Sequence, residues 1–281
     1  MKSTLKIIRH RLRRTRARLD HGAMLSEAPI LFANAFPKSG THLLTQVLHG
    51  LTQLGPAVNS GLPAVVMYEG ETGQPRGPAQ IQADLARFHP GDTGFGHLHG
   101  TPEILGWLDK TPIAPFFIFR DPRDVVVSHV HYVTEMAPDH VHHAHYRALP
   151  DFESRLRTSI LGRPELEVPF PDIQARFEPY LGWLKHPKVC VLTFEAFIGD
   201  AASVIGEVVD HVQAMGFTLN VARAEALEIL GKAIEPKKSP TFRSGKIGGW
   251  RASLTGENKT LFKQVAGELL IRLGYESDMD W

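Results

Sequence analysis

Residues 30–42 read Ile-Leu-Phe-Ala-Asn-Ala-Phe-Pro-Lys-Ser-Gly-Thr-His, and the apolar positions that follow are Leu43, Leu44, Val47 and Leu48. The first seven residues form a short, nearly uninterrupted apolar run closed by Pro37, the pattern of a strand buried on both faces. After the turn Lys38-Ser39-Gly40-Thr41 the apolar spacing widens to that of a helix. A turn between a buried strand and a helix aims backbone N–H groups and the positive end of the helix dipole at whatever sits there, which suits an anion. Gly40 permits close approach, Lys38 adds a charge, and Ser39 and Thr41 add hydroxyls. The same residues would also make an ordinary glycine-containing capped turn. The segment is not the nucleotide-triphosphate loop GxxxxGK[ST], because its lysine precedes the glycine.

Two further strands follow the same design. Pro115-Phe116-Phe117-Ile118-Phe119 runs straight into Arg120-Asp121-Pro122-Arg123-Asp124, with Asp121 placed to cap a helix whose first residue is Pro122. Val189-Cys190-Val191-Leu192-Thr193-Phe194 is the third, followed by a helix to about residue 214, another over roughly 221–233 and a last one over about 257–273. Apolar strands alternating with helices predict an α/β chain: three layers, with a central, mostly parallel sheet flanked by helices. In such sheets ligands bind beyond the carboxyl ends of the strands. Residues 58–96, rich in Gly and Pro, read as a long surface loop, and residues 136–172 as irregular and histidine-rich.

Composition narrows the function classes. The 281 residues are 43% hydrophobic and 22% charged, which excludes a disordered tail, a collagen-like fibre and a coiled coil. A single cysteine, Cys190, excludes a disulfide framework and a cysteine-based zinc cage. The net charge of +1 hides an asymmetry: of 31 Lys and Arg, eight lie in residues 1–19, which leaves 23 against 30 acidic residues in the body. Such a body is not a nucleic-acid binder. The basic leader places Leu5, Ile8, Leu12 and Leu19 near one face. It reads as a solvated or partner-docking helix, with membrane-surface contact as the alternative. The expected organisation is a basic N-terminal extension over 1–28 and a single domain over 29–281. The leader lacks the apolar stretch of a signal peptide, so the expected location is cytoplasmic.

Two more segments carry chemistry. In Arg120-Asp121-Pro122-Arg123-Asp124-Val125-Val126-Val127-Ser128, an arginine fork ends a strand and a serine lies two helical turns on, a pair suited to a second phosphate. A pair of surface ion pairs, Arg120/Asp124 and Arg123/Asp121, is the other reading. Phe242-Arg243-Ser244-Gly245-Lys246-Ile247-Gly248-Gly249-Trp250-Arg251 is a basic glycine loop.

Together the three segments resemble the sulfotransferases that use 3′-phosphoadenosine 5′-phosphosulfate. The family's PKSGT signature is met from Pro37 to Thr41 and its R-(N/D)-P-(R/K)-D-x-x-x-S signature from Arg120 to Ser128. Its F-R-K-G-x-x-G-D-W signature corresponds to Phe242 through Trp250. The resemblance spans about residues 30–281, and the closing Leu273-Gly274-Tyr275 and Trp281 look like bacterial members. It implies the sulfotransferase variant of the phosphate-loop nucleotidase fold. It also implies that Lys38, Ser39, Gly40, Thr41 and His42 wrap the 5′-phosphosulfate, with Lys38 on the bridging oxygen. Arg120 and Ser128 would hold the 3′-phosphate, joined by Arg243, Ser244 and Gly245, and Phe194 would lie on the adenine side. No metal and no covalent enzyme intermediate are implied.

The implied reaction moves a sulfuryl group by in-line displacement to an acceptor hydroxyl, giving adenosine 3′,5′-bisphosphate and a sulfate ester. The sequence does not name the acceptor: a carbohydrate, a lipid, a small alcohol and a carrier-tethered metabolite are all open. A general base must take the hydroxyl proton, and a histidine suits that task. The family's His-Leu register is met best by His97, with His99 the reserve. Departures from the family pattern are His42 for a threonine, Phe194 for a tyrosine, Ser244 for a lysine, Gly249 for an aspartate, and Phe95 where a second lysine would stand. His129, His131, His140, His142, His143 and His145 read as a polar loop bordering the acceptor rather than as metal ligands. A magnesium-dependent nucleotide kinase and a nucleotide-binding module with a decayed active site are the alternatives.

Overall fold

The computed structural model describes residues 2–239 and 245–281. From the amino end the chain runs α1 (Lys2–His21), the one-turn α2 (Met24–Glu27), β1 (Ile30–Ala35) and α3 (Thr41–Gly50). Short strands β2 (Val58–Asn59) and β3 (Val65–Val66) precede α4 (Pro78–Leu85), β4 (Asp92–His97), α5 (Pro102–Lys110) and β5 (Ile113–Phe119). Next come α6 (Pro122–His131), α7 (His143–Ala148), α8 (Phe152–Leu161), α9 (Ile173–Phe177) and α10 (Leu181–Lys185). The rest is β6 (Cys190–Thr193), α11 (Phe194–Gly199), α12 (Ala201–Ala214), α13 (Arg223–Ala233), α14 (Trp250–Ser253) and α15 (Gly256–Arg272).

These elements form two compact units. The first comprises residues 1–67, 77–119 and 180–242, and the second residues 68–76, 120–179 and 243–281. The first holds the whole sheet, in the order β2-β4-β1-β5-β6 with β3 also on β4, and every pairing is parallel. All six residues of β1 and all seven of β5 are buried, as their unbroken apolar runs require. Their side chains alternate between two layers. Leu31, Ala33, Ala35, Phe116 and Ile118 pack with Leu44, Val47 and Leu48 of α3, Val204, Val208 and Val209 of α12 and Leu230 of α13. On the other face Phe32 meets Phe88 and Trp107 edge-on, at 5.7 and 5.6 Å between ring centres, and Phe117 stacks on Trp183. The three-layer α/β expectation is met.

Residues 58–96 depart from the expected surface loop, because they contain three strands and α4. The strand that escaped notice, β4, sits between β2 and β1 in the sheet. Its sequence, Asp-Thr-Gly-Phe-Gly-His, lacks an apolar run because its neighbours claim the space that side chains would occupy. A Cβ on Gly94 would lie 2.3 Å from Phe88, and one on Gly96 would lie 2.6 Å from the Val65 carbonyl oxygen. Glycines forced by close packing look like loop residues in a sequence.

The leader also differs from a solvated arm. The His10 ring nitrogen Nε2 lies 2.9 Å from Asp92 Oδ2, Arg14 donates to Asp92 Oδ1 at 2.7 Å, and Arg13 donates to the Ser60 carbonyl. Asp92 is fully buried at the start of β4, so these partners answer a charge that burial would otherwise penalise. Cys190 of β6 is an inert strand residue, since burial pushes its thiol up to about 12.

The second unit is helical. Residues 136–172, expected to be irregular, include α7 and α8, and Asp151 accepts from the Ser154 N–H at 2.7 Å to cap α8. Helix α8 packs on α6 and α15, and Asn258 of α15 donates to the Glu153 carbonyl at 3.2 Å. A widened π turn, Tyr132–Met136, continues α6.

Candidate functional site

Where β1 ends, the Phe36 N–H still donates to Ile118 on the neighbouring strand, at 3.1 Å, and the chain then turns sharply. The Ser39 N–H donates back to the Phe36 carbonyl at 3.2 Å. Lys38 adopts φ +70°, the one non-glycine residue with positive φ among those described. A lysine held in the left-handed region is a strained residue kept by its surroundings. Gly40, at φ +97°, sits at the N-cap of α3, and a Cβ there would lie 2.8 Å from the Phe194 ring. Phe194 therefore forms the wall against which the turn closes, at the start of α11.

This N-cap offers no side-chain acceptor, so the first N–H groups of α3 keep their positive dipole end uncapped by the chain's own side chains. Ser39 is fully buried, and its Oγ has no hydrogen-bond partner among the described residues. A buried hydroxyl without a partner beside an uncapped helix end is the mark of a ligand's position. Thr41 is buried in the first turn of α3, and His42 follows it half-buried. Burial lowers the His42 pKa, and the Lys38 charge lowers it further, so its imidazole is neutral at pH 7.

The strand beside β1 ends at His97. The His97 Nδ1 hydrogen donates to the Ala35 carbonyl at 2.8 Å. A carbonyl can only accept, so Nδ1 carries the proton and Nε2 carries the lone pair. Burial is the main force holding the His97 pKa down; the Ala35 hydrogen bond opposes it, and the charges of His42 and Lys38 add to it. His97, His42 and Lys38 are thus within electrostatic reach of one another. Between the two candidate histidines, Leu98 is pinned by Asn34, whose amide donates to the Leu98 carbonyl and accepts from its N–H, both at 2.8 Å. His99 lies half-buried against the Tyr180 ring, 5.0 Å between centres, and burial lowers its pKa too.

The second unit begins at Arg120, the residue after β5. Its Nη2 donates to the Lys246 carbonyl at 2.7 Å and lies 3.2 Å from Asp124 Oδ2. Asp124 also accepts from the Gly248 and Trp250 N–H groups, each at 2.9 Å. The motif's first arginine and last aspartate together hold the late glycine loop. Asp121 caps α6 as expected, accepting from the Arg123 N–H at 2.9 Å. Arg123 pairs with Asp121 at 2.8 Å and with Glu276, and its guanidinium lies 3.9 Å from the centre of the Trp250 ring. Both ion pairs anticipated for the surface are in fact buried, with Arg123 only 2% exposed. Ser128 lies half-buried in the second turn of α6. Gly245 adopts φ +63°. Phe242, Arg243 and Ser244 lie outside the described residues.

The histidine cluster is built into the packing of the second unit. The His129 Nδ1 lies 3.3 Å from both the Tyr146 hydroxyl and Ser159 Oγ, the His142 Nε2 2.9 Å from the Val168 carbonyl, and the His143 Nδ1 2.6 Å from the Val133 carbonyl. His129 and His142 are buried, in place of the expected polar acceptor loop. Among the described residues no three His, Cys, Asp or Glu side chains converge to hold a metal.

The chain is similar to mouse sulfotransferase SULT7A1 complexed with PAP, at 17% identity over 89% of this chain and 88% of that one, with a TM-score of 0.58. It is similar to retinol dehydratase in complex with androsterone and the inactive cofactor PAP, at 15% identity over 91% of this chain and 85% of that one, TM-score 0.59. A complex of retinol dehydratase with retinol and PAP gives 14% identity, 91% and 86% coverage and a TM-score of 0.57. The fold is that of the cytosolic-type sulfotransferases. No family model matches the chain. No curated protein matches it in sequence.

Within the sheet-bearing unit of this sulfotransferase fold, the sequence-nominated residues Lys38, Ser39, Gly40, His42, His97 and Phe194 gather at the ends of β1, β4 and β6. Asn34 escaped sequence reasoning. Its signal was a lone amide inside an apolar strand, a residue that must find partners when buried. Asp124 was noted only as a partner of Arg120, whereas it organises the loop through Gly248 and Trp250 as well.

Proposed function

We propose that this protein is a sulfotransferase that uses 3′-phosphoadenosine 5′-phosphosulfate and sulfates an acceptor hydroxyl. The observation that carries the reading is the buried Ser39 hydroxyl, without a partner among the described residues, in a strained turn at the start of α3, on a fold whose solved neighbours were crystallised with PAP. The residues present fit a phosphosulfate: a lysine, two hydroxyls, a glycine that lets the backbone approach, and the N–H groups of a helix end.

The donor supplies the sulfuryl group. Lys38, Ser39, Gly40 and Thr41 bind its 5′ end, and neutral His42 adds a ring N–H there. The Lys38 ammonium neutralises the charge that grows on the departing phosphate oxygen, a preorganised electrostatic role. Arg120 and Ser128 take the 3′-phosphate, with Arg243, Ser244 and Gly245 completing that end and Phe194 bordering the adenine. His97 Nε2 receives the proton of the acceptor hydroxyl, and His99 is the second candidate for that role. What favours His97 is the carbonyl that fixes its tautomer with the lone pair on Nε2. The products are a sulfate ester and adenosine 3′,5′-bisphosphate, and no metal takes part. The solved neighbours' androsterone and retinol make a small apolar alcohol the first acceptor class to test.

Calorimetric titration with adenosine 3′,5′-bisphosphate, with ATP plus magnesium as the counter-ligand, tests the reading. The bisphosphate should bind without magnesium, and Arg120→Ala should weaken it by about tenfold or more. In a transfer assay Lys38→Ala should lower turnover by roughly 10²–10³-fold. Turnover of ATP with magnesium, together with no affinity for the bisphosphate, would decide for a kinase.

A further inference from the structure

The leader helix α1 has two faces with opposite fates. His10, Arg13, Arg14 and Ala17 point inward: the three polar side chains bond to Asp92 and the Ser60 carbonyl, and Ala17 packs with Leu25 and Val58. This fixes the rotation of the helix about its axis. The opposite face then carries Ile8, Leu12 and Leu19, which are 49%, 65% and 83% exposed. With exposed Thr15 between them, their spacing of four, three and four residues lays one stripe along the helix. Arg9 and Arg16 border the stripe on one side, Arg11 and Arg18 on the other, and all four are exposed. The only acidic residue of the helix, Asp20, lies in its last turn.

We infer that this outward face of α1 is a docking surface for an anionic membrane. An apolar stripe with arginines along both borders matches a lipid interface, where the stripe enters the acyl boundary and the guanidinium groups reach phosphate and carboxylate headgroups. Other occupants fit less well. A nucleic acid would engage the arginines but leave the three large apolar side chains in water. A second copy docked by two-fold symmetry would set arginine borders against arginine borders. The helix lies on the surface and does not span: no helix among the described residues is long and apolar enough to cross a membrane.

The test uses the full chain and co-sedimentation with vesicles of pure phosphatidylcholine or of phosphatidylcholine with about 30% phosphatidylserine, at low and at roughly 0.5 M salt. The expected result is about tenfold or greater preference for the anionic vesicles, weakened by salt. The double variant Leu12→Asp/Leu19→Asp and the quadruple variant Arg9→Gln/Arg11→Gln/Arg16→Gln/Arg18→Gln should each lose that preference. Circular dichroism and binding of adenosine 3′,5′-bisphosphate should be unchanged in both, since none of these side chains faces the inward contacts. Equal partition to both vesicle types, or anionic binding that survives the double leucine variant, overturns the proposal. So does a wild-type dimer that the leucine variant dissociates without any vesicle binding, which would make this face a contact between copies. None of these outcomes bears on the donor-binding residues.

Discussion

His97 donates its Nδ1 hydrogen to the Ala35 carbonyl at 2.8 Å, a bond from the end of one strand to the last residue of the strand beside it. The sheet itself therefore selects the tautomer. Because Ala35 also leads into the Lys38 turn, the position of the imidazole and the position of the anion cradle are set by the same backbone.

The protonation state follows from that environment. Burial, together with His42 and Lys38, holds the His97 pKa below 6.5 despite the Ala35 bond. A base must be unprotonated to act, so kcat/KM should fall only on the acid side, with a midpoint below 6.5 and a plateau through neutrality. His97→Gln should lose about 10²–10⁴-fold in kcat and abolish that acid limb. Retention of the limb in His97→Gln, and its loss in His99→Gln, would move the role to His99. The measurement is a pH–rate profile of each variant.

Asn34 should matter for the same chemistry without touching substrate. Its amide makes both hydrogen bonds of the Leu98 backbone, in the interval between His97 and His99. Asn34→Ala leaves a buried N–H and a buried carbonyl without partners, which costs about 1–3 kcal/mol each at most. The expected outcome is a lower midpoint in urea, and a kcat loss larger than any change in bisphosphate affinity. Asn34→Asp keeps the acceptor for the Leu98 N–H and loses the donor to its carbonyl, so it should recover only part of the stability.

Legibility in the sequence differs from element to element. Strands β1 and β5 could be read because both faces are buried and every residue but Asn34 is therefore apolar. Strand β4 could not, because Gly94 and Gly96 are dictated by the Phe88 ring and the Val65 carbonyl, which only the folded packing brings against them. Lys38 and Gly40 were visible as a turn between a strand and a helix, but the wall that Phe194 builds against Gly40 is a tertiary fact. The RDPRD segment was read correctly as a helix start, and its ion pairs were anticipated. Their burial was not, since nothing local announces that Trp250 and Trp281 will cover Arg123.

Asp124 is the residue whose loss should loosen the late glycine loop. It is 3% exposed and accepts from Gly248, from Trp250 and from the Arg120 guanidinium. Asp124→Ala removes the acceptor of two N–H groups and a carboxylate beside the Arg120 guanidinium, and each buried donor left unpaired costs about 1–3 kcal/mol. Thermal unfolding should shift down by several degrees, and limited proteolysis should cut within residues 245–250 before the rest of the chain. Adenosine 3′,5′-bisphosphate should bind more weakly, because Arg120 loses a side chain that orients it. Asp124→Asn keeps one acceptor and should fall between the two.

His140 gives the chain a pH-dependent stability that has nothing to do with catalysis. Burial, reinforced by His142 and His143, pushes its pKa down to about 4, and its Nδ1 accepts a hydrogen bond from the His142 N–H at 3.2 Å, which needs the unprotonated ring. In the unfolded chain the same imidazole titrates near its ordinary value of 6.5. Between those two values the unfolded state binds more protons than the folded one, so stability rises with pH across the window. The contribution is complete above about 6.5, declines as the pH falls, and levels off below about 4; its full size is at most about 3 kcal/mol. His42, His97, His99 and His142 are held low as well and tilt the slope in the same direction. His140→Gln keeps an acceptor for the His142 N–H and cannot charge. Urea unfolding of the two proteins should therefore agree near pH 7.5 and diverge toward pH 4.5, with the variant the more stable at the acid end. Parallel curves through that range would show that His140 binds its proton equally in the folded and unfolded states, so that burial does not depress its folded pKa.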